Sequence, residues 1–142
     1  MNPTIQKFGY PATLLGELDH WLILLRPAQV TLGSLVLAAK SHAIAYSALP
    51  VEAFSEQRKA VSLIEKALGD FCNYERINYL MLMMVDPNVH FHVIPRYSEP
   101  RQWNELNFLD AGWPGPPDLA SAIELTPGQL TVLAEQLSAR FR

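Results

Sequence analysis

The segment DPNVHFHVIPRY, residues 86–97, sets two histidines two positions apart among apolar neighbours and closes on Ile-Pro-Arg. Successive side chains of a strand point to opposite faces, so Asn88, His90 and His92 form one row and Val89, Phe91 and Val93 the other, with about 6.6 Å between members of a row. The apolar row marks a core face. The other row carries imidazoles, which titrate near neutrality and can offer one nitrogen as base or nucleophile while the second is held by a hydrogen bond. Two rings in one row can grip an anionic group from adjacent points. The same pattern also fits a solvent-facing edge strand on which histidine is merely tolerated. A zinc site needs at least a third protein ligand, and among the four histidines only His20 and His42 remain, so neither a metal nor another cofactor is expected.

Outward from this segment, Ile77–Val85 is an apolar run, and the turn formers Asp86-Pro87-Asn88 predict a tight hairpin joining it to Val89–Ile94. Between Pro50 and Phe71, apolar Val51, Phe54, Val61, Ile64, Leu68 and Phe71 recur at helical spacing among charged residues, which predicts one long amphipathic helix that weakens near Gly69. Trp21–Leu25, stopped by Arg26-Pro27, and Ser34–Ala38 read as short buried strands. Downstream, the Pro/Gly/Trp-rich stretch from Ser98 to Pro117 reads as an ordered loop over the surface or over a site. Thr126-Pro127 reads as an N-cap with proline at N1, and Leu130, Leu133, Leu137 and Phe141 give a last helix its apolar stripe. Strands and helices are not regularly interleaved, so the fold class is α+β with an antiparallel sheet. At 142 residues and 49% hydrophobic composition, one domain over residues 1–142 is expected, ending in a loop and helix over 98–142.

A net charge of −3 with scattered basic residues gives no electrostatic reason to expect a nucleic-acid partner. Cys72 is the one cysteine, so an intramolecular disulfide and a cysteine-rich zinc site are excluded, which fits a reducing compartment; it reads as a small buried hydrophobe. The start, MNPTIQKFGYPATLLGELDH, lacks the basic and apolar regions of a secretory signal, and no apolar run reaches the roughly 20 residues that span a bilayer. A cytoplasmic protein without a membrane partner is expected. Met81, Met83 and Met84 read as core or interface filling, and Trp103 and Trp113 as anchors of the long loop or as pocket walls.

NVHFHVIPRY resembles the signature of the histidine triad family, His-φ-His-φ-His-φ-φ with φ apolar, which commonly runs on into Pro-Arg. GSLVLAAKSHA, residues 33–43, is similar to that family's upstream Gly-His-φ-φ-φ-φ-Pro-Lys-x-His segment at Gly33, the apolar run, Lys40 and His42. The resemblance covers roughly residues 20–97. It implies an antiparallel sheet with one long helix and a C-terminal helix, a homodimer, and a nucleotide-type substrate. It implies attack of a histidine on the α-phosphorus of a dinucleoside polyphosphate or nucleoside phosphoramidate, giving a nucleotidyl-histidine that water or another acceptor resolves. By position, His90 matches the nucleophile, His92 the third histidine, which contacts phosphate oxygens, and Asn88 the first. Asn88 cannot carry a proton as imidazole can, though its carbonyl can still orient His90. The family's Gly-Gln-Ser/Thr loop before the signature is replaced by the expected short turn at Asp86–Asn88. Ser34 stands where a histidine is usual, and Arg26 falls near the place where many members hold the ribose with Asn or Asp. Arg26 cannot accept hydroxyl hydrogens but could bind phosphate or carboxylate. Lys40 is a candidate phosphate contact, and Gln29 and Asn78 are polar candidates beside strands. The alternative is a nucleotide-binding or interaction protein with little or no turnover.

Overall fold

Runs as apolar as Trp21–Leu25 and Leu35–Ala39 need cover on both faces, which an antiparallel sheet with one wet face does not give. In the computed structural model, which describes residues 1–142, helix α1 (Pro3–Lys7) leads into β1 (Leu14–Glu17), β2 (Trp21–Leu25), the short β3 (Ala28–Gln29) and β4 (Leu35–Ala39). The long helix α2 (Val51–Cys72) follows, then β5 (Arg76–Leu80), β6 (His90–Arg96), a hairpin of β7 (Arg101–Trp103) and β8 (Leu106–Phe108), the short β9 (Ile123–Glu124), and α3 (Pro127–Ser138). Five strands form one antiparallel sheet in the order β1-β2-β4-β6-β5. Beside it, β3 pairs with β9 and β7 with β8. The α+β expectation holds.

The two faces are covered by different elements. On one, Trp21, Ile23, Leu25, Leu35, Leu37, Val89 and Val93 pack with Ala60, Ile64 and Leu68 of α2 and Leu133 and Leu137 of α3. On the other, Leu22, Leu24, Val36 and Ala38 pack beneath Ile5 of α1, with Phe8, Tyr10 and Leu14 around them. Each fully buried aliphatic side chain contributes about 1.5–3 kcal/mol. Trp21 also donates its indole N–H to the Ala53 carbonyl at 2.7 Å, tying β2 to α2.

The long helix turns toward the sheet with smaller residues than its large apolar side chains foretell: Ala53, Ala60, Ile64, Ala67, Leu68 and Cys72 are buried, while Val51 and Phe54 are exposed. Alanines let the helix axis lie close to the sheet, and Phe54 instead packs on Tyr46, with ring centroids 5.3 Å apart. The helix runs through Gly69 and stops at Asn73, whose left-handed conformation directs its N–H to the Gly69 carbonyl. At α3 the expected cap forms. Thr126 and Gln129 exchange hydrogen bonds as a capping box behind Pro127, while Phe141 lies beyond the helix in a 3-10 turn.

The tight hairpin before the signature does not form. Pairing of β5 with β6 runs from Arg76↔Arg96 to Leu80↔His92, and Met81–Val89 is an irregular loop rather than strand and turn. Met81 and Met83 tuck partly against the core, whereas Leu82, Met84 and Val85 are exposed. Strand pairing beyond Leu80 would have to cross the stretch where β6 has not yet begun, and Pro87 has no N–H to donate. The Ser98–Pro117 stretch is also more ordered than a plain loop. Asn104 and Glu105, both at positive φ, turn the β7–β8 hairpin as adjacent left-handed residues do. Gly33, at φ +98°, closes the turn before β4, and a Cβ there would lie 3.2 Å from Leu68 and 3.3 Å from Pro95.

Candidate active site on the histidine face

Strand β6 lies between β4 and β5, so the histidine row is not a solvent-facing edge. His90 is 2% and His92 7% exposed. Across the ladders they oppose Ala38 and Val36 of β4, and His92 also opposes Leu80 of β5. The two rings meet edge-on, with centroids 5.1 Å apart. Phe8 lies against both, 5.6 Å from His90 and 5.7 Å from His92.

Their partners fix what each ring can do. Nδ1 of His90 sits 2.7 Å from the Asn88 carbonyl, which only accepts, so Nδ1 carries the hydrogen and Nε2 of the neutral ring keeps a free lone pair. Nδ1 of His92 receives a hydrogen bond from Nε of Arg26 at 3.3 Å. A guanidinium only donates, so the hydrogen of neutral His92 is on Nε2. Burial, then the charge of Arg26 and the proximity of His90, push the His92 pKa down to about 4, which keeps that ring neutral at pH 7. The pair therefore offers one nucleophilic nitrogen and one N–H donor side by side.

Asn88 is held by the N-terminal segment. Thr4 Oγ1 donates to Asn88 Oδ1 at 3.0 Å and accepts from the Asn88 N–H at 3.3 Å, while Asn88 Nδ2 donates to the His42 carbonyl at 3.1 Å. Asn2 caps α1 at the Ile5 N–H and donates to the carbonyls of Ala39 and Ser41, each at 2.9 Å. The side chain of Asn88 is thus committed to the fold, and its carbonyl is what orients His90. The signal for α1 was present as Asn2-Pro3, the same cap-then-proline pair that marks α3 at Thr126-Pro127.

The other candidates divide. Arg26 adjoins His92 and anchors Nη1 on the Ala28 carbonyl at 2.6 Å; burial lowers its pKa while Glu124 opposes that shift. Gln29 and Ser34 are turned inward. Gln29 Nε2 donates to the carbonyls of Arg26 and Ser34 and its Oε1 accepts from Gly33, while Ser34 bonds within the Thr31 turn. Lys40 pairs with Glu17 at 2.7 Å, and His42 reaches the site through its backbone only. A loop does precede the signature, at Met81–Val89, but it carries Met, Leu, Val, Asp and Pro in place of Gly-Gln-Ser/Thr. Its Asp86 pairs with Lys7 at 3.0 Å. Asn78 accepts from Arg96, and Trp103 anchors its hairpin on Gln136 of α3 at 2.8 Å. Cys72 is buried and its thiol is pushed up to about 11 by that burial, which suits packing rather than nucleophilic chemistry. Nowhere do three or more His, Cys, Asp or Glu side chains come together in a way that could hold a metal ion.

No family model matches the chain. A comparison with curated proteins likewise finds no match. Solved structures do match. A histidine triad protein of Bradyrhizobium japonicum superposes with a TM-score of 0.75 at 15% identity, covering 100% of this chain and 97% of that one. A hypothetical histidine triad nucleotide-binding protein of Sulfolobus tokodaii gives 0.68 at 17% identity, over 97% of this chain and 89% of its own. A diadenosine triphosphate hydrolase of Plasmodium falciparum gives 0.66 at 12% identity, over 91% and 76%. With its five-stranded antiparallel sheet, its long helix and its C-terminal helix, this chain has the fold of the histidine triad proteins.

Proposed function

We propose that the chain is a single-domain member of the histidine triad family that acts on a nucleotide phosphate, a dinucleoside polyphosphate or nucleoside phosphoramidate, through a nucleotidyl-histidine. The observation that carries this reading is the pairing of a free Nε2 lone pair on His90 with an N–H donor on neutral His92. Nε2 of His90 attacks the α-phosphorus, the N–P bond forms, and the bond to the leaving group breaks with its electron pair. Water or another acceptor then attacks phosphorus from the opposite side and releases its proton to solvent, the N–P bond breaks, and its electrons return to Nε2. His92 Nε2–H and the Arg26 guanidinium stabilise the phosphoryl oxygens. The names carried by the Sulfolobus and Plasmodium neighbours agree with a nucleotide ligand.

One observation favours the second reading, a nucleotide-binding protein with little turnover. Asn88 cannot lend a proton to the leaving group, and its amide is already bonded to Thr4 and the His42 carbonyl. The two readings separate on incubation of the protein with dinucleoside polyphosphates and nucleoside phosphoramidates, followed by intact-mass analysis after an acid-free quench. Turnover with a nucleotidyl mass increment on His90 is the expected result; binding without either product or adduct gives the second reading.

The open edge of β5, followed by exposed Leu82, Met84 and Val85, supports a homodimer, with the adjoining strand as its interface. Light scattering at micromolar concentration tests it, and a monomeric mass rejects it. No helix is long and apolar enough to cross a membrane; we assign the protein to the cytoplasm, without a nucleic-acid partner.

A further inference from the structure

The flank of His90 that faces β5 has no strand beside it. Strand β5 ends at Leu80, opposite His92, and the same register carried further would bring Leu82 opposite His90, where the chain has already left the ladder. His90 is nevertheless only 2% exposed. Ala38 of β4 bounds its other flank and Phe8 lies on its ring, so the residues left to close the open side are those of the loop that follows Leu80. We propose that Met81–Pro87 is a flap over the histidine row, held shut by the ion pair of Asp86 with Lys7, and that it lifts to admit whatever reacts at His90. This goes beyond the reaction proposed above, since it concerns access to the ring and not what the ring attacks.

Three observations set this loop apart from the rest of the cover. First, its backbone is free: no N–H or carbonyl from Met81 to Pro87 makes a hydrogen bond within the chain, although both ends are fixed, at Leu80 by β6 and at Asn88 by Thr4 and the His42 carbonyl. Second, its apolar side chains do little to hold it, since Leu82, Met84 and Val85 are exposed and only Met81 and Met83 lie partly against the core. Third, its single side-chain tie is Asp86 to Lys7 Nζ, at 3.0 and 3.1 Å. Helix α1 is anchored by contrast. Ile5 is fully buried, Asn2 and Thr4 bond to β4, Ser41 and Asn88, and the Phe8 carbonyl accepts from Thr13 Oγ1 at 2.7 Å. The helix is therefore the fixed jaw and the loop the moving one. The clasp joins them at the site itself: Lys7 precedes Phe8, which lies on both rings, and Asp86 is two residues before Asn88 and near enough for its charge to act on His92. With Lys7 53% exposed, the pair is screened by salt, and breaking it shifts an opening equilibrium by up to about fivefold. Loops with few buried contacts and no backbone bonds open most readily, and lids are drawn from them. A reacting phosphorus must come within about 3–3.5 Å of Nε2, which a closed flank does not permit.

The probe is diethyl pyrocarbonate, which carbethoxylates an unprotonated imidazole nitrogen that it can reach. Modification of the full chain is followed at His90 and at the exposed His42 by peptide mass, and the His90 rate is expressed relative to that of His42. A group that reacts only from a minor open state is slowed by the fraction open, so at low salt His90 in the wild type is expected to react at least about tenfold more slowly than His42. High sodium chloride, Lys7→Met and Asp86→Asn should each speed it, by up to about fivefold, and salt should add nothing in either variant. Carbodiimide coupling, which joins Lys7 Nζ to the Asp86 carboxyl as an amide while the carbodiimide takes up the water, should slow His90 further in the wild type but not in Lys7→Met. A His90 rate equal to that of His42 in the wild type overturns the flap, as does a slow rate that salt and both variants leave unchanged. Acceleration by Phe8→Ala alone would show that the ring is reached past α1, and it removes the flap as well. The readout uses no nucleotide, so failure of the flap and failure of the nucleotide reading are seen separately.

Discussion

At one end of the β6 face His90 and His92 lie beneath Phe8 of the N-terminal segment; at the other Arg96 lies beneath the turn that carries Asp110 and Gly115. Both ends bury groups that water would solvate, and they do so by opposite means. An imidazole can give up its charge, and burial holds His92 neutral, so each ring needs only one partner from the chain and keeps one nitrogen unclaimed. A guanidinium cannot be neutralised, and Arg96 therefore requires a bidentate carboxylate at the same depth. At the histidine end nitrogens remain free, whereas at the charged end the donors are taken and the turn is fastened.

The largest test of that contrast is at the neutral end. His90→Asn should abolish the covalent adduct outright with the fold intact, because the lost bond exists only along the reaction path. His92→Asn should slow turnover by less, on the order of 10²-fold, as for the loss of one stabilising donor. Adduct formation that survives His90→Asn would remove the neutral end from the chemistry altogether.

The charged end should break in stability instead. Asp110→Ala strands Arg96 without its counter-charge and should cost about 3–5 kcal/mol, read from the urea midpoint. The double change Arg96→Met with Asp110→Leu should cost far less, since an apolar pair replaces the ions. If the single and double variants lose equally, packing rather than charge holds the turn.

Thr4 sharpens the comparison from the covering segment. Thr4→Val leaves the Asn88 carboxamide oxygen and N–H without their partner and should cost about 1–3 kcal/mol, while Thr4→Ser should keep most of it. A loss in Thr4→Ser with none in Thr4→Val would mean that the methyl group, not the hydroxyl, seats α1.

The smallest effect is the pH dependence of His92. Its folded pKa of about 4 lies below the ordinary value of 6.5, so between these values the unfolded chain binds a proton that the folded one does not. This contribution to stability is full above pH 6.5, declines as pH falls toward 4, and is exhausted below it. His92→Asn should flatten that part of the stability profile, and Arg26→Ala should raise the His92 pKa, because the guanidinium charge is the second cause of its depression. An NMR titration of the His92 ring checks both, and an ordinary midpoint in the wild type rejects the buried neutral state.

Much of this was legible along the chain. Fully apolar five-residue runs mark β2 and β4, charge between apolar residues marks α2, and Thr126-Pro127 marks α3, because strand burial, helical period and capping are local properties. The alternation that puts Asn88, His90 and His92 in one row is equally local, and so was the pairing of His90 with the carbonyl of Asn88, which lies two residues away. Asn2-Pro3 carried the same capping signal as α3, but a helix of one short turn leaves no periodic trace to draw the eye to it.

What tertiary structure decided are the contacts made across long sequence separations. That β6 is an interior strand follows from β4 and β5 flanking it, and this turns exposed histidines into buried ones. The end of β5 at Leu80, and with it a loop instead of a hairpin, depends on where the register with β6 runs out. Thr4 bonds Asn88 from 84 residues away, Arg26 bonds His92 from 66 and Asp110 clamps Arg96 from the far side of a hairpin. The sequence by itself determined which side chains share a face, since alternation and helical period are written in neighbouring residues. Which of them would be covered, neutral or left with a free nitrogen depended on the elements brought over that face, because desolvation and hydrogen bonding act through space rather than along the chain.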